Sequence, residues 1–286
     1  MTTQLYIHIG PYKTGTTSVQ EHFWQNRQAY KDHGLLYPQT GILKKKWGHR
    51  HYYLATTTDP DLWQSLGTEI ESSGVGKTLL SAERFSMNLS RLGEAAPLIR
   101  PYQPKIIIVL RPEAKLVSSM YLQLVKSYFG SPTRKSALRA SFQDWFQNSQ
   151  RMFLYSRMVT QAAKAFGEEN IIYVRFGKSS NFNIVDEICR TLDVPVLERV
   201  SNQNLSISPS TARKAVSAHR FGWLAGKVAM ETNRKLENMF PSLGSKQLEG
   251  FDAKTINELY IEKNQKALKR FPEFAKHYYA LHDLAD

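Results

Sequence analysis

The sequence has little cysteine and no long apolar run, and each shortage excludes a class of protein. Its single cysteine, Cys189, excludes an intramolecular disulfide and cannot form a thiolate metal cluster alone. The longest apolar run, Ile106 to Leu110, is far too short to span a bilayer. The start, Met1 to Leu5, lacks a basic segment followed by an apolar one, so no secretory signal is predicted. These absences predict a cytoplasmic protein without a transmembrane segment.

The composition favours one folded domain with a basic surface. The chain has 286 residues, 42% of them apolar, which is enough for one sizeable core. Its formal charge of +13 predicts affinity for polyanions. Nucleic acid, a nucleotide with several phosphates and an acidic polysaccharide all fit that charge, and so does a merely well-solvated surface. Charge alone therefore does not choose a partner.

Strand and helix patterns alternate along the first two thirds of the chain. Irregular sequence is expected from Leu35 to Thr58. Helical patterns begin after residue 17, Pro112, Ser141 and Asn183. The one after Ser141 runs from Phe142 to Phe166. Strands are predicted at Gln4–Ile9, Thr78–Ala82, Lys105–Leu110 and Asn170–Phe176.

This alternation predicts an α/β fold with a P-loop-like, three-layer, doubly wound parallel sheet. The predicted organisation is a single domain over 1–286, with an α/β nucleotide-binding core at 1–207 and a mostly helical part at 208–286. Ligands of such sheets bind beyond the carboxyl ends of the strands. The turns after the first, second and third predicted strands should therefore share one edge.

The turn after the first strand has the features of an anion-binding loop. Lys13-Thr14-Gly15-Thr16-Thr17 lies between a strand and a helix start, where free backbone N–H groups and the helix dipole favour a negative charge. Gly15 lets the backbone approach closely, and the hydroxyls of the threonines and Ser18 add donors. The lysine precedes the glycine, whereas in a Walker A loop it follows the last glycine. The alternative is an ordinary turn with a threonine as helix N-cap.

This loop resembles the first signature of the PAPS-dependent sulfotransferase family, in particular its bacterial, carbohydrate-type members (PAPS is 3′-phosphoadenosine 5′-phosphosulfate). Leu110-Arg111-Pro112 with Ser119-Met120-Tyr121 resembles the family's second signature. In the family the first signature binds the 5′-phosphosulfate and the second binds the 3′-phosphate. Asn204-Leu205-Ser206 resembles a loop that closes near the nucleotide, which adds Asn204 and Ser206 to the implied contacts.

The resemblance implies transfer of a sulfuryl group from PAPS to a hydroxyl or amine of a glycan or small molecule. The product would be adenosine 3′,5′-bisphosphate (PAP), and no metal is implied. Arg111 would offer a planar fork for the 3′-phosphate, and Ser119 a further donor. The plain alternatives are a surface salt bridge for Arg111 and a neutral helix position for Ser119.

The general base is less well defined. In the family it is a Glu or His on an early segment, and Gly48 to Ala55 resembles a histidine-containing segment of some bacterial members. His51 therefore leads, His49 follows and Glu83 is the rival. The histidines could also be merely solvated, and Glu83 could simply pair with a neighbouring cation. Neither carboxylate nor cysteine stands at ligand spacing beside the two histidines, so no catalytic metal is predicted.

Two other functions stay open at this stage. A P-loop phosphotransferase or kinase would need a Walker A loop in the proper order and an Asp after an apolar strand, where this chain has Arg111. A non-enzymatic polyanion binder would need basic residues along one face. Two clusters of basic residues could bind a polyanion, bind an acceptor, or simply be solvated. They are residues 44–50 and the set Lys126, Arg134, Lys135 and Arg139. No nucleic acid partner is expected, a glycan acceptor is favoured, and the oligomeric state is left open.

Overall fold

The centre of the fold is a sheet of five parallel strands with helices on both faces. The computed structural model describes residues 3–43, 49–130, 141–177, 182–198, 207–239, 248 and 251–283. The strand order is β2-β3-β1-β4-β5, so β1 lies in the middle, between β3 and β4. The strands are β1 (Gln4–His8), β2 (Leu35–Leu36), β3 (Lys77–Ser81), β4 (Lys105–Leu110) and β5 (Ile171–Arg175). The predicted parallel α/β fold is confirmed.

Thirteen α-helices lie within the described residues. They are α1 (Thr16–Gln25), α2 (Arg27–Asp32), α3 (Pro60–Ser73), α4 (Arg84–Met87), α5 (Leu89–Ile99), α6 (Glu113–Gly130), α7 (Phe142–Ser149), α8 (Tyr155–Phe166), α9 (Ile184–Leu192), α10 (Pro209–Ala218), α11 (Trp223–Met239), α12 (Ala253–Arg270) and α13 (Pro272–Asp283). None of these helices combines the length and apolar composition that a bilayer span needs.

Both faces of the sheet are covered, as a central parallel strand requires. On one face, Ile107 and Val109 of β4 belong to a buried cluster with Phe23 of α1 and with residues of α9. Side chains alternate along a strand, so Tyr173 of β5 faces the other side. There its ring centroid lies 5.7 Å from that of Phe274 in α13. These layers hold the carboxyl ends of the strands in fixed positions.

Two elements differ from the sequence prediction. Leu35 and Leu36, expected to be irregular, form the edge strand β2 and pair with Lys77 and Thr78 of β3. The helix predicted from 142 to 166 is interrupted, because Leu154 is extended, with φ −76° and ψ 108°. A helical period continues across such a break, so periodicity alone cannot reveal it.

The described chain forms two compact units. The first contains residues 1–112, 155–202 and 262–286, and it holds the whole sheet. The second contains residues 113–154 and 203–261, and α6, α7, α10 and α11 lie within it. The predicted helical part after 208 thus contributes to both units. The predicted single-domain organisation stays a prediction.

A buried polar network joins α10 to α11 in the second unit. The Glu237 carboxylate accepts hydrogen bonds from the hydroxyls of Ser208, at 2.7 Å, and Thr211, at 2.8 Å. The Asn233 amide donates to the Thr211 hydroxyl at 2.8 Å. Because partly buried polar groups are costly unless paired, this network favours one register of the two helices.

Candidate active site

Two glycines shape the turn between β1 and α1. Gly15 is the N-cap of α1 and has φ 78°, a left-handed conformation that glycine adopts at little cost. A Cβ at Gly15 would lie 2.7 Å from Cγ2 of Ile184, and one at Gly10 would lie 2.7 Å from Nε2 of His8. The turn is thus built around the absence of two side chains. In the first turn of α1 the Ser18 N–H donates to the Gly15 carbonyl at 3.0 Å, which leaves the N–H groups of Thr16 and Thr17 to face an anion.

The loop threonines use their hydroxyls inside the protein. The Thr14 hydroxyl donates to the Pro11 carbonyl at 2.7 Å, and the Thr16 hydroxyl donates to Glu83 at 2.6 Å. Thr14 and Thr16 are both buried, whereas Thr17 is half-buried and Ser18 is exposed. Contacts from Thr14 and Thr16 to a ligand would therefore come from their backbone amides.

Lys13 has an unusual backbone conformation. Its φ is 72°, in the left-handed region that costs an L-residue about 1–2 kcal/mol. Its carbonyl oxygen accepts a hydrogen bond from the guanidinium of Arg111. Strain of this kind is retained where the surrounding structure enforces it, and it is concentrated at binding sites.

Arg111 directly follows β4 and is held from several sides. Its backbone N–H donates to the Tyr155 hydroxyl at 2.7 Å, and that hydroxyl donates to the Arg111 carbonyl at 3.0 Å. The guanidinium carbon lies 4.8 Å from the centroid of the Phe176 ring. Burial lowers the pKa of Arg111, but a guanidinium stays cationic at neutral pH. The structure thus brings Arg111 and the loop of Lys13 into contact at the ends of neighbouring strands.

Glu83 lies just beyond β3 and is directed at the same loop. Its side chain accepts the Thr16 hydrogen bond and one from the Gln20 amide at 3.3 Å. Its Oε2 lies 3.9 Å from a guanidinium nitrogen of Arg50. The carboxylate is buried, with only 5% of the residue exposed. It is therefore held beside the first turn of α1 with its acceptor oxygens oriented.

His51 is placed differently. The Ser81 N–H donates to its Nδ1 at 3.1 Å, so Nε2 carries the proton and donates to the Pro38 carbonyl at 3.0 Å. The residue is fully buried, and burial lowers the pKa of the imidazole from 6.5 to about 4. Taking up a proton would break the bond to Ser81. His51 therefore joins β3 to the segment at Pro38 as a neutral ring.

His49 is half-buried and has two neighbours on α1. Its Nδ1 lies 3.2 Å from a carboxylate oxygen of Glu21, and its ring stacks on Trp24 with centroids 4.5 Å apart. Its side chain is 18% exposed, so it stays accessible from solvent.

Among the described residues, no group of three or more His, Cys, Asp or Glu side chains is placed to hold a metal ion.

Several predicted site residues cannot be related to this arrangement. Ser119 lies on α6 in the second unit. Asn204 and Ser206 lie outside the described residues, as do 44–48 and the three basic positions between 134 and 139. Their predicted contacts stay predictions.

Sequence reasoning did not single out Tyr12 and Arg84, which lie near Glu83 with Arg50. Tyr12 lies in the anion loop next to Lys13, and Arg84 is the first residue of α4. Their positions beside two predicted site residues were the available signal. Residue type alone gave no signal, because tyrosine and arginine are common on protein surfaces.

Comparisons with known proteins add one structural likeness. No protein-family model matches the sequence, and no curated protein matches it. Five solved chains match. One is a sulfotransferase from Alicyclobacillus acidocaldarius. Its identity to this chain is 17%, its TM-score is 0.43, and the alignment covers 82% of this chain and 96% of that one. Likeness at this level assigns neither family nor substrate.

The two buried histidines at this edge predict sensitivity to acid. Burial lowers the pKa of His8 as well as that of His51, each from 6.5 to about 4. Between those values the unfolded chain binds protons that the folded chain does not. The free energy of unfolding should therefore fall as pH drops from 6.5 toward 4, by up to about 1.4 kcal/mol per pH unit for each histidine.

Urea unfolding at several pH values would measure this slope. His51→Gln should remove one histidine's share of the slope, whatever it does to stability at pH 7. His33→Gln, the same substitution at an exposed position, is the matched control. Equal slopes for the wild type and His51→Gln would contradict the prediction.

Proposed function

We propose that the chain is a sulfotransferase that moves a sulfuryl group from PAPS to a hydroxyl or amine of a glycan or small molecule and releases PAP. One observation carries the proposal: the guanidinium of Arg111 bonds the carbonyl of Lys13, so two cationic residues meet where β1 and β4 end. A donor with phosphate at both ends of a ribose needs two anion-binding groups at a fixed separation. Both come from the sequence segments that resemble the two family signatures.

The loop residues fit the 5′ end of such a donor. A Cβ at Gly10 or Gly15 would collide with His8 or Ile184, so the two glycines let the turn pack closely, and the N–H groups of Thr16 and Thr17 would face the 5′-phosphate. The Lys13 ammonium would neutralise charge that develops on the leaving phosphate. The Arg111 guanidinium has further N–H groups beyond the one that Lys13 uses, and these would take the 3′-phosphate.

Glu83 is the proposed general base. PAPS supplies an activated sulfuryl group, and the acceptor oxygen forms a bond to sulfur as the bond from sulfur to the bridging phosphate oxygen breaks. The Glu83 carboxylate would take the acceptor's proton, because it is buried, oriented by Thr16 and located beside the loop. His51, the first choice from the sequence, has both ring nitrogens bonded to backbone groups. His49 is the second choice for the general base, because its half-buried imidazole stays accessible from solvent.

Binding measured by calorimetry tests the donor. PAP should bind more tightly than ATP with magnesium, because the proposed site binds a 3′-phosphate that ATP lacks. Arg111→Gln should weaken PAP binding by about 10- to 100-fold, the loss of charged hydrogen bonds. It should weaken 5′-AMP binding by less. Tighter binding of ATP with magnesium than of PAP would instead favour a phosphotransferase and overturn the proposal.

A further inference from the structure

A linked group of aromatic and cationic side chains begins beside the Glu83 carboxylate. It consists of Tyr12, Arg50, Tyr52 and Arg84, and we call it the Glu83 rim. All four side chains are half-buried, so each is accessible from solvent. All four residues belong to the first unit and come from the loop after β1, the segment at residue 50 and the start of α4.

The rim is bound together by charge and by ring contacts. Arg50 lies 3.9 Å from the Glu83 carboxylate, and the Arg84 guanidinium carbon lies 5.9 Å from the centroid of the Tyr52 ring. Burial raises the pKa of the Tyr12 hydroxyl, and the charges of Arg84, Glu83 and Arg50 also act on it. Tyr12 directly precedes Lys13 in the loop after β1, the loop that bonds Glu83 through Thr16.

Positive charge exceeds negative charge at the rim. Two arginines accompany one carboxylate there, and the Arg84 guanidinium donates to the Met87 sulfur and forms no ion pair with a carboxylate among the described residues. Arg50 approaches the Glu83 carboxylate only to 3.9 Å, which is beyond hydrogen-bond distance. Since guanidinium groups without a hydrogen-bonded carboxylate favour an anion, the rim is complementary to a negatively charged group beside the reacting hydroxyl.

We infer that the acceptor is an anionic saccharide, whose carboxylate contacts Arg84 and Arg50 while a hydroxyl faces Glu83. The inference rests on the proposed function and specifies its acceptor. Arg84 and Arg50 would hold the carboxylate through charged hydrogen bonds, and the rings of Tyr12 and Tyr52 would lie against the apolar face of a sugar. A neutral saccharide of the same shape would leave the excess positive charge unmatched.

Two matched probes test this. A short oligomer of glucose and the corresponding oligomer of glucuronic acid differ only at C6, where a carboxylate replaces the hydroxymethyl group, and each can be titrated into the enzyme saturated with PAP. The glucuronic acid oligomer should bind at least about tenfold more tightly, the value of one good ion pair. Its advantage should shrink as ionic strength rises. In transfer assays with labelled PAPS it should have the higher kcat/KM.

Variants connect the preference to the rim. Arg84→Gln should weaken binding of the glucuronic acid oligomer about tenfold and leave binding of the glucose oligomer and of PAP unchanged. Arg190→Gln makes the same charge change on α9, where Arg190 is exposed and pairs with Glu187, and it should change none of the three. Equal binding of the two oligomers, or no binding of either while PAP binds, would overturn the inference and leave the proposed function standing. Failure of PAP to bind would overturn the proposed function itself.

Discussion

Glu83→Gln should lower kcat for sulfuryl transfer by about 10²- to 10⁴-fold, the usual contribution of a general base. The amide oxygen of glutamine can still accept the Thr16 hydrogen bond that Glu83 accepts at 2.6 Å. It cannot take a proton, because an amide is not basic near neutral pH. PAP binding should therefore stay close to that of the wild type while the chemical step fails.

Single-turnover assays with labelled PAPS would measure the loss. Glu21→Gln provides the control, since Glu21 is also a buried glutamate near the loop, on α1, and bonds His49 instead of Thr16. That control should retain most of its kcat. If Glu83→Gln stays within tenfold of the wild type, the base lies elsewhere, and His49→Gln becomes the next variant to assay.

Lys13→Gly should abolish most transfer activity and relieve the backbone strain at position 13. Loss of a charge that stabilises the transition state costs about 10²- to 10³-fold in kcat. Glycine, however, adopts the φ of 72° at position 13 without the penalty that lysine bears there. Part of that gain is offset by the greater freedom of glycine in the unfolded chain.

Lys13→Ala separates the two effects. It removes the ammonium but retains a Cβ in the left-handed conformation, so it should be as inactive as Lys13→Gly and less stable by about 1 kcal/mol. Urea unfolding gives the stabilities, and the transfer assay gives the activities. An active Lys13→Gly, or an alanine variant as stable as the glycine variant, would contradict this account.

The sequence was informative where a local pattern determines the outcome. Ile106 to Leu110 is apolar at every position, which marks a strand buried on both faces, and the structure places it as β4 beside β1. The glycine turn after β1 was recognisable for the same reason. The contact between Lys13 and Arg111 spans 98 residues and also required the order of the strands, in which β1 and β4 are neighbours. Alternation of strands and helices suggests such an order but does not fix it.

The environment of the two candidate bases was not predictable from residue types. His51 bonds the Pro38 carbonyl and the Ser81 amide, and backbone groups leave no signature in a sequence. Glu83 meets Thr16 across 67 residues, a contact that only the completed sheet creates. From residue types alone the histidine in the loop ranked above the glutamate after the strand, because the neighbours of neither were visible in the sequence.

The hydrogen bond from Arg111 to the Lys13 carbonyl orients a peptide plane. In a trans peptide the C=O and the next N–H point in opposite directions, and the described residues contain no cis peptide bond. Turning the Lys13 oxygen toward Arg111 therefore turns the Thr14 N–H away from it. The Arg111 side chain, which follows β4, thus orients the Thr14 N–H in the loop after β1 before any ligand binds. Little orientational entropy then remains to be lost on binding.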